Sequence, residues 1–462
     1  MDDFRIEKDS LGTMQVPVDA LYGAQTARAI DNFPISGISL PRPMLRALGL
    51  IKKNAAQTNQ GLGLLSAEVA SAIVQAAEEV IAGKQDEQFP VDIFQTGSGT
   101  SSNMNSNEVI ANLAAQLLGQ SLGSKAVHPN DHVNLGQSSN DVFPSAIHIA
   151  CAEQLHQNLL PALEQLLQRL DKKTDEFKDV LKIGRTHLQD ATPIKLGQVF
   201  SGYSRQVELS HEQIANNMNR LFELALGGTA VGTGINTHPD FAAKTIAGIA
   251  NETGLPFREA NNHFEAQGAK DGLIAVSSSL KCCAISLFKI ANDIRFLGSG
   301  PRCGIGELII PAVQPGSSIM PGKINPVMAE SLMQVCAQVI GNDATVSLSG
   351  LSGNFELNVM MPVMAYNVLQ SIELLSQGIT AFAQKCLDGL QANEKRCGDL
   401  LEQSLALVTA LVPEIGYDRA ADLAKQAHKT GKTLRELALA DGVAAETLDT
   451  LLDPATMTEP KR

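Results

Sequence analysis

Leu159, Leu163, Leu166, Leu167 and Leu170 recur at spacings of three and four, which predicts a long helix within the stretch 145–181. A second series is more regular. Leu273, Val276, Leu280, Cys283, Leu287, Ile290, Ile294 and Leu297 alternate steps of three and four, a seam shaped for another helix. Helices of ~25–35 residues are about 40–50 Å long and cannot bury themselves alone. The pattern therefore predicts an all-α bundle completed by further subunits. Helical periodicity begins near Pro43 and continues with breaks to about Gly119, whereas residues 1–40 read as irregular. The run LGGTAVGTGINTHPD at 226–240 reads as a tight connection whose glycines let backbones approach closely. Its G-T-G, with no strand before it, is weak evidence for a dinucleotide site. From about Lys395 the helices shorten, Gly416 and Gly431 break them, and a small accessory domain is expected.

Composition narrows the class. A chain of 462 residues needs more than one core, and a hydrophobic fraction of 44% is ordinary for a soluble protein. The apolar runs are interrupted well short of the ~20 residues that span a bilayer, so no membrane segment is expected. The start, MDDFRIEKDS, is acidic and lacks the apolar core of a secretory leader. A net charge of −13 argues against nucleic acid as a partner, but not against an anionic substrate, because the field in a cleft is local. Cys151, Cys282, Cys283, Cys303, Cys336, Cys386 and Cys397 form no C-x-x-C pair and read as reduced thiols in the cytoplasm. The nine histidines show no metal-binding spacing. No metal and no cofactor are expected.

The chemistry-bearing residues fall in four polar runs. GSSIMPGKINP at 316–326 combines Ser317, Ser318 and Lys323 with a Pro321-Gly322 turn and reads Asn325 as the N-cap of a helix carrying Glu330. A loop at a helix N-terminus suits an anion. TGSGTSSNMNSNE at 96–108 presents Ser98, Gly99, Thr100 and Asn103. GQSSND at 136–141 presents Ser138, Ser139 and Asn140. GRTHLQDATP at 184–193 presents Thr186 and His187 before a turn at Pro193. Neutral hydroxyl and amide donors in this number suit a carboxylate. Each run alone is as readily turn and cap chemistry, but together, with His187 and Lys323 as the titratable members, they point to a site.

These residues resemble the class II fumarase family of the fumarase/aspartase superfamily. GSSIMPGKINP is nearly the superfamily signature, and the likeness extends from DSLGTMQVP and LYGAQTARA to the late GYDRAADLAKQAHKTG. The resemblance implies three domains, 1–137, 138–394 and 395–462, around a central bundle of long helices. It also implies a homotetramer whose active sites are shared between subunits. The expected reaction is metal-independent, reversible hydration of fumarate to L-malate through an aci-carboxylate. By the same resemblance Ser317 is the base, Lys323 and Asn325 bind the reacting carboxylate, and His187, paired with Glu330, handles the oxygen through a water. Ser98, Gly99, Thr100, Ser138, Ser139, Asn140, Thr186 and Ser318 would complete substrate binding. His128, Pro129, Asn130 and Asp131 resemble a secondary dicarboxylate site, although such a run is also strong turn chemistry.

Two alternatives stand beside this. An aspartase would share the fold, but aspartases tend to carry S-T-N-D and P-A-K where this chain has Ser138-Ser139-Asn140-Asp141 and Pro321-Gly322-Lys323. A recruited structural protein would be expected to have lost Ser317, His187 or Lys323, and all are present. His132 and Gly136 stand where many fumarases have an acid and a serine, and neither is a direct catalytic match.

Overall fold

The computed structural model describes residues 4–460. The chain forms two compact units, one from the segment ending at Pro161 with Ser210–Ala284 and Cys336–Ser376, the other from Ala162–Leu209, Ile285–Val335 and the chain from Gln377 onward. Its N-terminal third contains a hairpin of β1 (Phe4–Asp9) and β2 (Gly12–Pro17), then helices α1 (Ala24–Asn32), α2 (Arg42–Gly61), α3 (Ala67–Ile81) and α4 (Thr100–Leu117). The hairpin and α1 correct the expectation that residues 1–40 are irregular. Their inward face is charged, which hid it from a hydrophobic reading: Phe4 and Ile6 face solvent, while Arg5 pairs with Glu7, and Arg28 with Asp9.

Next come α5 (Ser139–Gln154) and α6 (Leu160–Glu176), joined by a π turn at Leu155–Leu159. Pro161 has no N–H for the carbonyl four residues back, and the helical ladder slips there instead of breaking. The long helix expected over 145–181 thus starts earlier and ends sooner. After it lie a second hairpin, β3 (Leu181–Thr186) and β4 (Gln189–Lys195), then α7 (Leu196–Met218), α8 (Phe241–Thr253) and α9 (His263–Gly268). The long helices α10 (Asp271–Leu297), α11 (Val327–Gly350) and α12 (Met361–Phe382) complete the bundle elements.

The α10 seam is as its spacing predicts: Leu273, Val276, Leu280, Cys283, Leu287, Ile290 and Ile294 are buried. By length and composition α10 could cross a membrane, but half of its apolar window is buried inside the protein, as in a core helix. The connection at 226–240 is tight for the expected reason. A Cβ on Gly228 would lie 2.2 Å from Gln267 Oε1, and Gly227 has φ +104°.

Helix α4 is buried almost all round despite its polar sequence. Each polar side chain that points inward needs a partner. Glu108 accepts from the backbone of Gly23, Gln25 and Thr26, capping α1 from below, and Asn112 donates to Leu21 O. Short C-terminal helices, α13 (Glu394–Glu402), α14 (Val412–Ile415), α15 (Tyr417–Thr430), α16 (Leu434–Ala440) and α17 (Ala445–Leu451), carry the expected Gly416 and Gly431 breaks. Their cores are a cluster of Ile183, Leu401, Leu407, Ala427 and Leu434 and another of Leu411, Leu423, Ala438 and Leu448.

Candidate active site

The signature loop is pinned from both ends. Gly316 N donates to Lys323 O at 2.9 Å, and Asn325 Nδ2 donates to Gly316 O at 2.7 Å. A Cβ on Gly316 would lie 2.3 Å from Lys323 O, so no other residue fits there. Lys323 N donates to Met320 O across Pro321-Gly322, and Gly322 has φ +80°, a type II turn. Inside this frame Ser317 Oγ accepts from the backbone N–H groups of Ile319 and Met320, at 3.2 and 3.0 Å. Two amide dipoles therefore converge on the hydroxyl oxygen, which stabilises negative charge there. Lys323 and Asn325 line an open cavity of about 340 Å³ with Arg295 and Gly298–Gly300. Asn325 is not the N-cap expected from sequence: its side chain closes the loop, and Glu330 N donates to Pro326 O at the start of α11. Ser318 is exposed beside Ser317, and Glu330 is half-buried in the first turn of α11.

His187 sits at the tip of the β3–β4 hairpin, not before a turn at Pro193. Thr186 pairs with Gln189, so His187-Leu188 is a two-residue loop, and Pro193 lies within β4 opposite Ile183. Both loop residues are left-handed, with φ 57° and 62°. A two-residue hairpin of this hand normally takes Asn-Gly. Holding a histidine and a leucine there costs ~1–2 kcal/mol per residue, and strain of that kind concentrates at functional sites. The hairpin is anchored by a charge cluster. Arg185 Nη1 and Nη2 donate to Glu307 at 2.9 and 3.0 Å, and Lys182 lies 3.2 Å from the same carboxylate, which is wholly buried. Burial pulls the Lys182 ammonium below the usual lysine range, while the charge of Glu307 opposes this.

A separate group gathers at the N-termini of α4 and α5. Ser98 and Thr100 share a hydrogen bond of 2.7 Å between hydroxyls. Gly99, at φ +74°, starts α4 where a Cβ would lie 2.3 Å from the Phe143 ring. Ser138 and Asp141 form a capping box at α5, and Asp141 also accepts from Gly227 and Thr229, at 2.9 Å each. Asn140 donates to Ala230 O. Burial raises the Asp141 carboxyl pKa, against its backbone donors and the cation at Lys52. Asn103 is fully buried beneath this group and donates to Ser139 Oγ at 3.2 Å; it is not presented to a ligand as the sequence suggested.

Sequence reasoning missed Lys52. Its side chain is wholly buried on α2, and Nζ donates to Asn134 Oδ1 and Gln137 Oε1, at 2.8 and 3.0 Å. Burial lowers its pKa to about 7, with Asp141 pulling it back up. The available signal was a lysine on the apolar face of α2, one step after Ile51.

His128 Nδ1 accepts from Asp131 N, and the His128–Asn130 turn lines a polar cavity of about 320 Å³ with Glu7, Asn112 and Lys125. Among the described residues no group of His, Cys, Asp or Glu is placed to hold a metal ion. Among the described residues, too, no hydrogen bond or ion pair within the chain joins His187 to Glu330 or to the Ser317 loop.

The comparisons agree with one another. Residues 12–341 match the family described as Lyase, and residues 407–459 match the family described as Fumarase C C-terminus. A class II fumarate hydratase of Halobacterium salinarum is 57% identical over 99% of this chain and 97% of its own length. Another, of Nitrosomonas europaea, is 53% identical over 99% of this chain and all of its own. The crystal structure of the class II fumarase of Schistosoma mansoni superposes with a TM-score of 0.97 at 41% identity, over 99% of this chain and 100% of that one. Fold and motifs thus define a lyase, specifically a hydro-lyase. The chain belongs to the class II fumarate hydratase family.

Proposed function

We propose that the chain catalyses the reversible, metal-independent hydration of fumarate to L-malate, with Ser317 as the base. The observation that carries this is the pair of backbone N–H groups directed at Ser317 Oγ. In the elimination direction Ser317, as alkoxide, takes the proton from the carbon beside one carboxylate. The C–H electron pair passes into that carboxylate, giving the aci-form, whose second negative charge Lys323 and Asn325 stabilise. The pair then returns to form the double bond, and the neighbouring C–O bond breaks. The departing oxygen leaves as water, with its proton supplied through a water held by His187, which in the shared site pairs with Glu330. Ser98, Gly99, Thr100, Ser138, Ser139, Asn140, Thr186 and Ser318 bind the dicarboxylate. The His128–Asp131 turn binds a second one.

In this reading the enzyme is a cytoplasmic homotetramer and each site draws on several subunits. That sharing accounts for motifs that one chain leaves unjoined, and for apolar side chains such as Ile285 and Leu348 left exposed on long helices. The test is absorbance in the fumarate band with L-malate and L-aspartate offered separately to chelator-treated protein. Fumarate from malate alone is expected. Fumarate from aspartate alone would make the chain an aspartase, and silence with both would favour a structural role.

A further inference from the structure

Lys52 lies under the candidate donors at the α4 and α5 N-termini without reaching them. In either protonation state its Nζ keeps the two N–H groups that Asn134 Oδ1 and Gln137 Oε1 accept. Those bonds fix the direction of both amides. Gln137 turns its nitrogen to Val133 O, and Asn134 turns its nitrogen to Gln137 O. With Asn134 Oδ1 thus held toward Asn103, Asn103 must present its own NH₂. Turned over, it would meet that oxygen with an oxygen. The NH₂ donates to Asn134 Oδ1 at 3.3 Å and to Ser139 Oγ at 3.2 Å, while Asn103 Oδ1 is buried without a partner. Because Ser139 Oγ already accepts from inside, its own hydrogen is directed outward.

We propose that Lys52 is a positioning residue: through Asn134 and Asn103 it sets the Ser139 hydroxyl as a donor toward the bound dicarboxylate. In this buried network the two Nζ donors and the carbonyls of Val133 and Gln137 together set the polarity of the amides, and each member constrains the next. The proposal rests on the reading of Ser139 as a substrate donor.

The test is a double-mutant cycle in steady-state kinetics with fumarate. Asn103→Asp is isosteric but can only accept when ionised, so it draws the Ser139 hydrogen inward. It is expected to raise KM about tenfold or more, the effect of losing one hydrogen bond to a charged ligand, and to change kcat far less. Ser139→Ala should do the same, and the double variant should be no worse than Ser139→Ala alone. Lys52→Gln, which can present an oxygen to Asn134, should show the same non-additivity. A purely structural Asn103 or Lys52 would give effects that multiply with Ser139→Ala, or would move kcat and KM together, and either result overturns the proposal. If Lys52→Gln does not fold, the Asn103→Asp cycle decides alone. A wild-type protein that does not hydrate fumarate would sink the functional reading itself; an active wild type with multiplying variants would sink only the role of Lys52.

Discussion

Arg185 forks both terminal nitrogens onto the buried carboxylate of Glu307, two residues before His187. The histidine stands on a strained two-residue turn, so its aim depends on how firmly β3 is held. Glu307→Ala would leave Arg185 and Lys182 without their counter-charge. Breaking a buried pair by removing one partner costs about 3–5 kcal/mol. The expected outcome is a marked drop in melting temperature together with a lower kcat. Unchanged melting would mean the cluster is solvated and does not anchor the hairpin.

Gly97 is a second point where backbone meets backbone. A Cβ there would lie 1.6 Å from Val359 O, a separation no relaxed side chain reaches. Gly97→Ala must displace the turn that leads into α4, with Ser98 just before the helix and Thr100 at its first position. Overpacking of this kind costs about 1–3 kcal/mol or more. We expect lower thermal stability and a raised KM for fumarate; an alanine variant with wild-type KM would show that α4 is not positioned by this contact.

Much of this was legible in the chain. The α10 seam needs only the three-and-four alternation of Leu273 to Ile294, and the type II turn needs only Pro321-Gly322. The candidate site residues stand out because hydroxyls, amides and glycines cluster in short runs. What escaped has a physical cause in each case. The β1–β2 hairpin buries Arg5, Glu7 and Asp9 as ion pairs, so no apolar alternation marks its inward face and the segment reads as irregular. His187-Leu188 adopts a turn whose preferred residues it lacks, so turn chemistry pointed to Pro193. Asn103 and Lys52 are polar residues whose partners, Ser139 and Asn134, lie tens of positions away.

Ser317 offers the most direct test of the chemistry. Its Oγ is both the proposed base and the acceptor for Ile319 and Met320 N–H. Ser317→Ala removes the base and leaves those donors to water, because the loop is exposed in the chain. General-base loss costs roughly 10²–10⁴-fold in rate. The fall should appear in kcat, with melting temperature nearly unchanged. A kcat within a few-fold of wild type would remove Ser317 from the proton transfer.

Lys52 gives the fold a pH dependence of definite sign. Burial lowers its pKa from an ordinary 10.5 to about 7. Below about 7 both folded and unfolded chains hold the proton, and the full burial penalty is present. Between about 7 and 10.5 the unfolded chain keeps a proton that the folded chain has released, so stability rises with pH across that window. Asp141, the charged group facing Lys52, has the opposite slope: its raised pKa keeps a proton in the folded state that the unfolded chain gives up from about 3.8 upward. Lys52→Met removes the alkaline contribution alone. The melting temperature of wild type minus that of Lys52→Met should therefore grow from pH 7 to pH 9.5. A constant difference would mean that Lys52 stays charged inside the fold, with Asp141 outweighing its desolvation.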